Sequence, residues 1–153
     1  MQSIDSSGLD KLTENLNKVL EEAPEKRREL HEQLADLAKQ EVDAQIAADV
    51  GGDSGKIQSW QEPHVGSGGG YAAVRATSTS SGDNSPGAIT NYLENGHAIR
   101  SPSGQAKRYR PQIHTAYVDG RHFYQSARAG LEAKAVSLAN DFAEKLAEEL
   151  NNG

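Results

Sequence analysis

The chain has 153 residues, a formal net charge of −6, 35% hydrophobic residues and no cysteine. This length suits one domain over residues 1–153, with a core so thin that neighbouring subunits are expected to bury part of its apolar surface. The acidic balance argues against a general nucleic-acid binder, because neutralising phosphates needs an excess of Lys and Arg. Without cysteine there is no disulfide or thiolate metal site. No segment is typical of a signal peptide or membrane span, so we expect a soluble cytoplasmic product.

The N-terminal third has the apolar spacing of amphipathic helices. Apolar residues recur every three or four positions over residues 12–23 and again over residues 30–46. Pro24 separates the two stretches, and proline suits a first helical turn better than a helix interior. We therefore predict two helices, or one broken long helix, with a boundary or kink at Pro24 and the second helix starting near Glu25. Residues 1–8 are predicted to be flexible.

The rest of the chain predicts a polar middle followed by another helix. Segments 57–65 and 71–79 have the composition of short strands, and the glycines between them predict a hairpin. Residues 78–87 are predicted as a loop, followed by a short helical or strand segment ending at Asn95-Gly96 and by a second loop over residues 100–111. Apolar spacing over residues 129–150 predicts the last helix, which ends at Asn151-Asn152-Gly153.

The basic residues are concentrated in one segment. Residues 1–49 carry 6 basic and 12 acidic groups, whereas residues 100–128 carry 6 basic groups and one acidic group. A basic loop on an acidic body can contact a neighbouring subunit, stay solvated or bind nucleic acid. We favour docking on an acidic protein surface, with the four loop residues Arg100, Lys107, Arg108 and Arg110 making the contact.

Three short motifs stand in order along the chain: DSGKIQSW at residues 53–60, YLENGH at residues 92–97 and VDGRHF at residues 118–123. The first resembles the Asp-Thr-Gly-Arg-Leu…Ser-Trp signature of phage neck and tail-completion proteins, with Ser54 in place of Thr and Lys56 in place of Arg. YLENGH at residues 92–97 and VDGRHF at residues 118–123 are similar to two further elements, and Asn95 stands where an aromatic residue is usual. With the flanking helices, the resemblance covers roughly residues 10–150. Its motif positions are Asp53, Gly55, Trp60, Tyr92, Glu94, Gly96, Gly120, Arg121 and Phe123.

The resemblance implies a structural virion protein at the head–tail junction of a long-tailed phage or phage-like particle. Members of this family assemble as rings, here with six subunits preferred, that join the head connector or stopper to the tail terminator or tube. DNA would only pass through the lumen, and no membrane would be involved. The protein would be made in the bacterial host cytoplasm and end in the virion neck or tail. The alternatives are a tail-terminator or head-stopper subunit of the same module, or a small hydrolase.

The motif residues also have a physical interpretation of their own. Gly55 can take a positive φ, so Asp53-Ser54-Gly55 is expected to turn the chain from helix into strand. Trp60 is expected to be a core or inter-subunit anchor. Glu94, Gly96 and His97 are expected to form a tight turn. Gly120-Arg121 is expected to start the last helix, with Phe123 docked on the sheet and Arg121 holding a carboxylate, for which Glu94 is one candidate.

No enzyme signature accompanies these motifs. The five histidines are scattered without metal-ligand spacing, and the glycines of residues 66–70 lack the Lys-Ser/Thr that a phosphate-binding loop needs. No serine has the glycines of a nucleophile elbow. We therefore predict no catalytic, cofactor-binding or metal-binding residue and no cofactor. The expected fold is α+β, with long N- and C-terminal helices packed on one small, mainly antiparallel β-sheet in a ring-forming subunit.

Overall fold

The computed structural model describes residues 7–99 and 116–152 of the chain. Its fold is α+β, as predicted, with the two longest helices at the two ends of the described sequence. The elements are α1 Ser7–Asp49, a short 3-10 helix Gly51–Asp53, α2 Ser54–Ser59, β1 Gln61–Val65, β2 Ala72–Ala76, α3 Pro86–Asn95, β3 Gly96–Ala98, β4 Tyr117–Asp119 and α4 Phe123–Asn152.

Helices α1 and α4 pack side by side and run antiparallel. Lys26 pairs with Glu149 near one end of the pair, and Glu41 pairs with Lys134 nearer the other. The two contacts lie fifteen residues apart on each helix but in opposite directions, which fixes the antiparallel register. Asn15 contacts the Leu150 carbonyl at 3.5 Å, so the first turns of α1 stay beside the C-terminal end of α4.

The predicted helix boundary at Pro24 is wrong, because α1 continues through this residue. Proline lacks the N–H that would bond to the carbonyl four residues earlier, here that of Leu20. Both residues are exposed, so water can reach this part of the helix. An ion pair between Glu22 and Lys26 also spans the proline. Helix α1 is therefore one element of 43 residues instead of two.

The four strands form two separate two-stranded antiparallel sheets within the described residues. Strands β1 and β2 pair from Gln61 opposite Ala76 to Val65 opposite Ala72, which confirms the predicted hairpin across the glycines. Strands β3 and β4 pair from Gly96 opposite Asp119. The strand predicted over residues 57–65 is correct only from residue 61. Residues 57–59 belong to α2, because one turn of helix turns Ile57 into the core.

The hydrogen-bond pattern of the first hairpin shows which edge of β1 is blocked. Thr77 N–H donates to the Trp60 carbonyl and Gly66 N–H donates to the Tyr71 carbonyl. Because hydrogen-bonded pairs alternate along an antiparallel ladder, Pro63 lies at a position whose backbone nitrogen faces away from β2. Proline costs no ladder bond there and leaves the outer edge of β1 without its central donor.

The fully buried core is small and lies where α1 ends and α4 begins. Its members are Val42, Ile46, Ile57, Phe123 and Ala127. Side chains from β2 and α3 complete it, since Val74, Ile89 and Leu93 pack against this cluster. Further along the helix pair, over residues 131–152 of α4, no described side chain is buried. In this part α1 and α4 pack only on each other, and two helices alone bury only one stripe of each other's surface.

The predicted loop over residues 78–87 ends two residues early, because α3 begins at Pro86. Ser85 caps this helix by accepting a hydrogen bond from Ala88 N–H at 3.2 Å, and proline occupies the favoured first helical position. The predicted loop over residues 100–111 lies outside the described residues. Of the predicted flexible segment 1–8, only Ser7 and Gly8 are described, and both belong to α1.

Candidate functional site

The first motif forms a helical connection between α1 and β1. Asp53 ends the 3-10 helix and makes no side-chain cap, while Gly55 lies inside α2. A Cβ atom at Gly55 would meet nothing within 4 Å, and the positive φ of +78° belongs to Gly51. The expected sharp turn from helix into strand at Gly55 is therefore wrong. The residue with positive φ is Gly51, directly after α1, and two short helices separate it from β1.

Trp60 ends α2 and is half-buried against the core cluster. Its backbone N–H donates to the Ile57 carbonyl at 3.2 Å, and its carbonyl accepts from Thr77 N–H at 2.7 Å. Lys56 Nζ lies 5.4 Å from the centre of the indole ring, at cation–π distance. Trp60 therefore joins α2, the first hairpin and the core. An inter-subunit contact of its exposed part stays a prediction.

The second and third motifs meet at one close backbone approach, the junction between α3–β3 and β4–α4. Gly96 has a φ of +78° and ends α3, and its N–H donates to the Tyr92 carbonyl. A Cβ atom there would lie 2.5 Å from the Val118 carbonyl oxygen. A Cβ atom at Gly120 would lie 2.8 Å from the Asn95 carbonyl carbon and press on the Glu94 carbonyl. Only glycine fits at either position.

Backbone hydrogen bonds close the same junction. Arg121 N–H donates to the Leu93 carbonyl at 2.6 Å, and His122 N–H donates to the Glu94 carbonyl at 3.2 Å. His122 has a φ of 54°, in the left-handed region that histidine tolerates better than most residues. Two carbonyl groups at the end of α3 thus accept hydrogen bonds from the segment that leads into α4.

The carboxylate of Glu94 caps α4. One oxygen accepts from Tyr124 N–H at 2.9 Å and the other accepts from Gln125 N–H at 3.3 Å. These N–H groups have no partner inside the helix, and the helix dipole favours a negative charge at this end. Glu94, one candidate for a carboxylate held by Arg121, is not its partner. Within residues 7–99 and 116–152 no ion pair joins them, because both carboxylate oxygens face the start of α4 and the Arg121 side chain is exposed.

Behind the junction lies a buried polar network. The Tyr124 hydroxyl donates to Gln61 Oε1. Gln61 Nε2 in turn donates to the Ile57 carbonyl at 3.1 Å and to Thr90 Oγ1 at 3.3 Å. Burial, together with the charge of Glu94, raises the pKa of Tyr124 to about 12. A phenol so resistant to ionisation is a poor general base or nucleophile at neutral pH, and the network joins β1, α3 and α4.

Spacing in the sequence did not reveal this network. Gln61, Thr90 and Tyr124 are each about thirty residues apart, and none belongs to a recognised polar motif. A weak signal existed in α3, where Thr90 lies one turn after Pro86 and shares its buried stripe. A polar residue on a buried stripe needs a partner, because an unpaired buried hydroxyl is costly.

Phe123 is fully buried, and its ring contacts that of Tyr124. It was predicted to dock on the sheet, but the other buried members of its cluster, Val42, Ile46, Ile57 and Ala127, all come from helices. Tyr92 does not enter this core, and its ring instead contacts His97 at 5.3 Å between centroids. The predicted docking residues Arg100, Lys107, Arg108 and Arg110 lie outside the described residues. Among the residues that are described, no group of three or more His, Asp or Glu side chains is arranged to hold a metal ion.

No family model, curated protein or solved structure matches the chain. No helix in the described part of the chain is long and apolar enough to cross a membrane.

Proposed function

We propose that this protein is a structural subunit of the head–tail junction of a long-tailed phage or phage-like particle. It assembles as a ring, with six copies preferred, that links the head connector or stopper to the tail terminator or tube. DNA passes through the ring, and the protein binds its neighbours without turnover. The virion neck is its final location.

The junction built by the second and third motifs is the observation that carries this proposal. Two segments that resemble the neck family, residues 92–97 and 118–123, lie far apart in the sequence and pack on each other in the fold. Their glycines have no room for a Cβ atom, and Glu94 from one segment caps the helix that follows the other. Their contact supports the interpretation of the two motifs as one structural unit.

The character of the site also supports a binding role. Glu94 is engaged in capping α4, and Tyr124, whose pKa is raised, is held as a neutral hydrogen-bond donor. The close backbone contacts of the junction suit a subunit whose two partner surfaces must keep a fixed geometry, because a closed ring repeats one heterologous contact around its axis. The net charge of −6 would let DNA slide through a lumen instead of adhering to it.

Cryo-electron microscopy of intact particles, with this chain identified by mass spectrometry, tests the proposal directly. We expect a ring of this protein between head and tail, and heads that stay separate from tails when the chain is not produced. Particles that lack the protein, or that carry a single isolated copy at the junction, would contradict it. Normal joining without the chain would also contradict it.

The predicted docking loop has its own experiment. Replacing Arg100, Lys107, Arg108 and Arg110 together with serine should block head–tail joining and leave the helical circular-dichroism signal and melting temperature unchanged. The wild-type chain should not bind duplex DNA at physiological salt, because its acidic body repels phosphates. If the loop gripped four phosphates, the logarithm of the binding constant would fall with the logarithm of salt with a slope of about −3.6. Such binding, lost in the quadruple variant, would instead favour a DNA-holding role.

A further inference from the structure

The junction between α3–β3 and β4–α4 brings together two dipeptides that are chemically labile in a flexible chain. Asn95-Gly96 joins α3 to β3, Asp119-Gly120 lies at the end of β4, and the strand register places Gly96 directly opposite Asp119. In such dipeptides the glycine nitrogen can attack the preceding side-chain carbonyl carbon, because glycine has no Cβ atom to hinder the approach. Two sites of the same chemistry therefore meet in the fold.

At Asn95 the reaction forms a cyclic imide and releases ammonia. The Gly96 nitrogen loses its proton to water or base and bonds to Asn95 Cγ, and Nδ2 takes up a proton and leaves as ammonia. Water then opens the ring at either carbonyl carbon and leaves aspartate or isoaspartate. At Asp119 the same ring forms with loss of water, and its hydrolysis gives the same two products. Isoaspartate carries the main chain through its CH₂ group, so the backbone becomes one carbon longer.

The packing of the junction keeps both dipeptides in the chain, because it requires glycine at both positions. A Cβ atom at Gly96 would lie 2.5 Å from the Val118 carbonyl oxygen, and one at Gly120 would lie 2.8 Å from the Asn95 carbonyl carbon. A larger residue would slow the attack on the preceding side chain, but neither position has space for one. Chemical lability is thus built into the close backbone approach.

The folded backbone holds both dipeptides away from the reactive geometry. Ring closure needs the next nitrogen and Cβ nearly eclipsed, whereas helical ψ, about −42°, and strand ψ, about +135°, keep them apart. Asn95 is the last residue of α3, and Asp119 is the last residue of β4. Gly96 N–H also donates to the Tyr92 carbonyl, and Asn95 Nδ2 donates to Asn91 Oδ1 at 2.8 Å. The Asn95 and Asp119 side chains are exposed, so conformation protects them and burial does not.

A longer backbone at residue 95 is incompatible with the closed junction. The Leu93 and Glu94 carbonyls, which bind the segment leading into α4, directly precede residue 95, and β3 directly follows it. Both neighbours contact the β4–α4 segment, so an added carbon between them changes the spacing of two contacts that must form together. The tight approach at Gly96 and Gly120 leaves no slack to absorb that change.

We propose that Asn95-Gly96 and Asp119-Gly120 are isoaspartate-forming sites, which the closed junction protects and which, once modified, prevent it from closing again. Opening of the junction releases both dipeptides from their folded conformations, so a chain that stays open is converted irreversibly. The modification separates chains that remained folded from chains that opened, whatever structure they later join.

Timed incubation of the full-length protein at mildly alkaline pH, with and without guanidinium chloride, tests the protection. Mass spectrometry of digests measures deamidation at Asn95, and enzymatic methylation of isoaspartate measures the conversion of Asp119. We expect both reactions to be about tenfold or more slower without denaturant, because only opened molecules react. Asn152-Gly153, the same dipeptide outside the junction, is the control within the chain and should be protected much less. Equal rates at Asn95 in the two samples, or protection no greater than at Asn152, would overturn the proposal.

Refolding of the treated protein tests whether the modification keeps the junction open. Denaturant is removed, and size-exclusion chromatography separates folded from unfolded chains. Isoaspartate at residue 95 should be depleted several-fold from the folded fraction, whereas isoaspartate at residue 152 should be shared equally between the fractions. The double variant Asn95→Gln, Asp119→Glu forms the cyclic imide far more slowly, and it should lose less refolding yield than the wild type, each relative to its untreated sample. Equal sharing of isoaspartate at residue 95, or equal loss of yield, would overturn the proposal.

Discussion

Replacing Gly120 with alanine should destabilise the protein far more than its small size suggests. The added Cβ would lie 2.8 Å from the Asn95 carbonyl carbon and 2.9 Å from the Glu94 carbonyl carbon, both backbone atoms that no rotamer change can move. Relief requires β4 to separate from the end of α3. Overpacking alone costs about 1–3 kcal/mol. Separation would also weaken the two backbone bonds from Arg121 and His122, at about 1 kcal/mol each.

The expected loss is therefore about 3–5 kcal/mol, against a total stability of about 5–15 kcal/mol for a typical domain. Urea denaturation followed by helical circular dichroism measures it. Gly55→Ala is the matched control, because a Cβ atom there meets nothing within 4 Å and the residue lies in a helix. That change should raise stability by about 0.5–1 kcal/mol. A Gly120→Ala protein as stable as the wild type would refute the assignment of this glycine to a close backbone approach.

Three further predictions concern the core, the capping network and the first hairpin. Trp60→Ala should lower the free energy of unfolding by about 2 kcal/mol, measured by thermal or urea unfolding. This is below the roughly 3–5 kcal/mol of a fully buried aromatic residue, because the ring is only half-buried. An unchanged midpoint would show that the ring contributes no packing. Because the pKa of Tyr124 is raised from 10.0 to about 12, its contribution to stability is complete below pH 10 and is lost as the pH rises through 12. Tyrosinate absorbance should therefore include a late-titrating component that Tyr124→Phe removes and Glu94→Gln shifts to lower pH. A titration curve that Tyr124→Phe leaves unchanged at high pH would contradict this. Ala72→Pro should leave the hairpin folded, because it removes only an N–H that faces away from β1. Ala73→Pro should unfold the hairpin, because it removes a ladder hydrogen bond to β1. Equal stability of the two proteins would contradict the register.

Local signals predicted the parts of the fold that are themselves local. The last helix follows from its apolar spacing, and the hairpin follows from the glycines between two short apolar segments. The Ser85 cap is equally local, since its hydroxyl accepts from a backbone N–H only three residues ahead, but Ser85 was predicted to lie inside the loop 78–87. Ile57 was misassigned because a short apolar run has no periodicity that separates one helical turn from a strand.

The candidate site depends on contacts that no local pattern contains. Glu94 caps a helix whose N–H groups lie thirty residues further along the chain. The sequence indicated that Glu94, Gly96 and Gly120 belong to motifs. It did not indicate that each of the two glycines lies against the backbone of the other motif. Glu94 was one candidate for a carboxylate bound by Arg121, because arginine binds carboxylates bidentately. The backbone N–H groups at the start of α4 bind that carboxylate instead. Competition between possible partners is decided only by the tertiary arrangement.

Pro63 limits the sheet of the first hairpin to growth from one edge. Its ring occupies the outer edge of β1, so a strand added on that side would find no central donor. The outer edge of β2 carries no proline, and the backbone groups of Ala72, Val74 and Ala76 that face it make no hydrogen bond among the described residues. Growth of this sheet can therefore proceed on one side only. One-sided growth does not permit the open-ended stacking of strands that leads to amyloid.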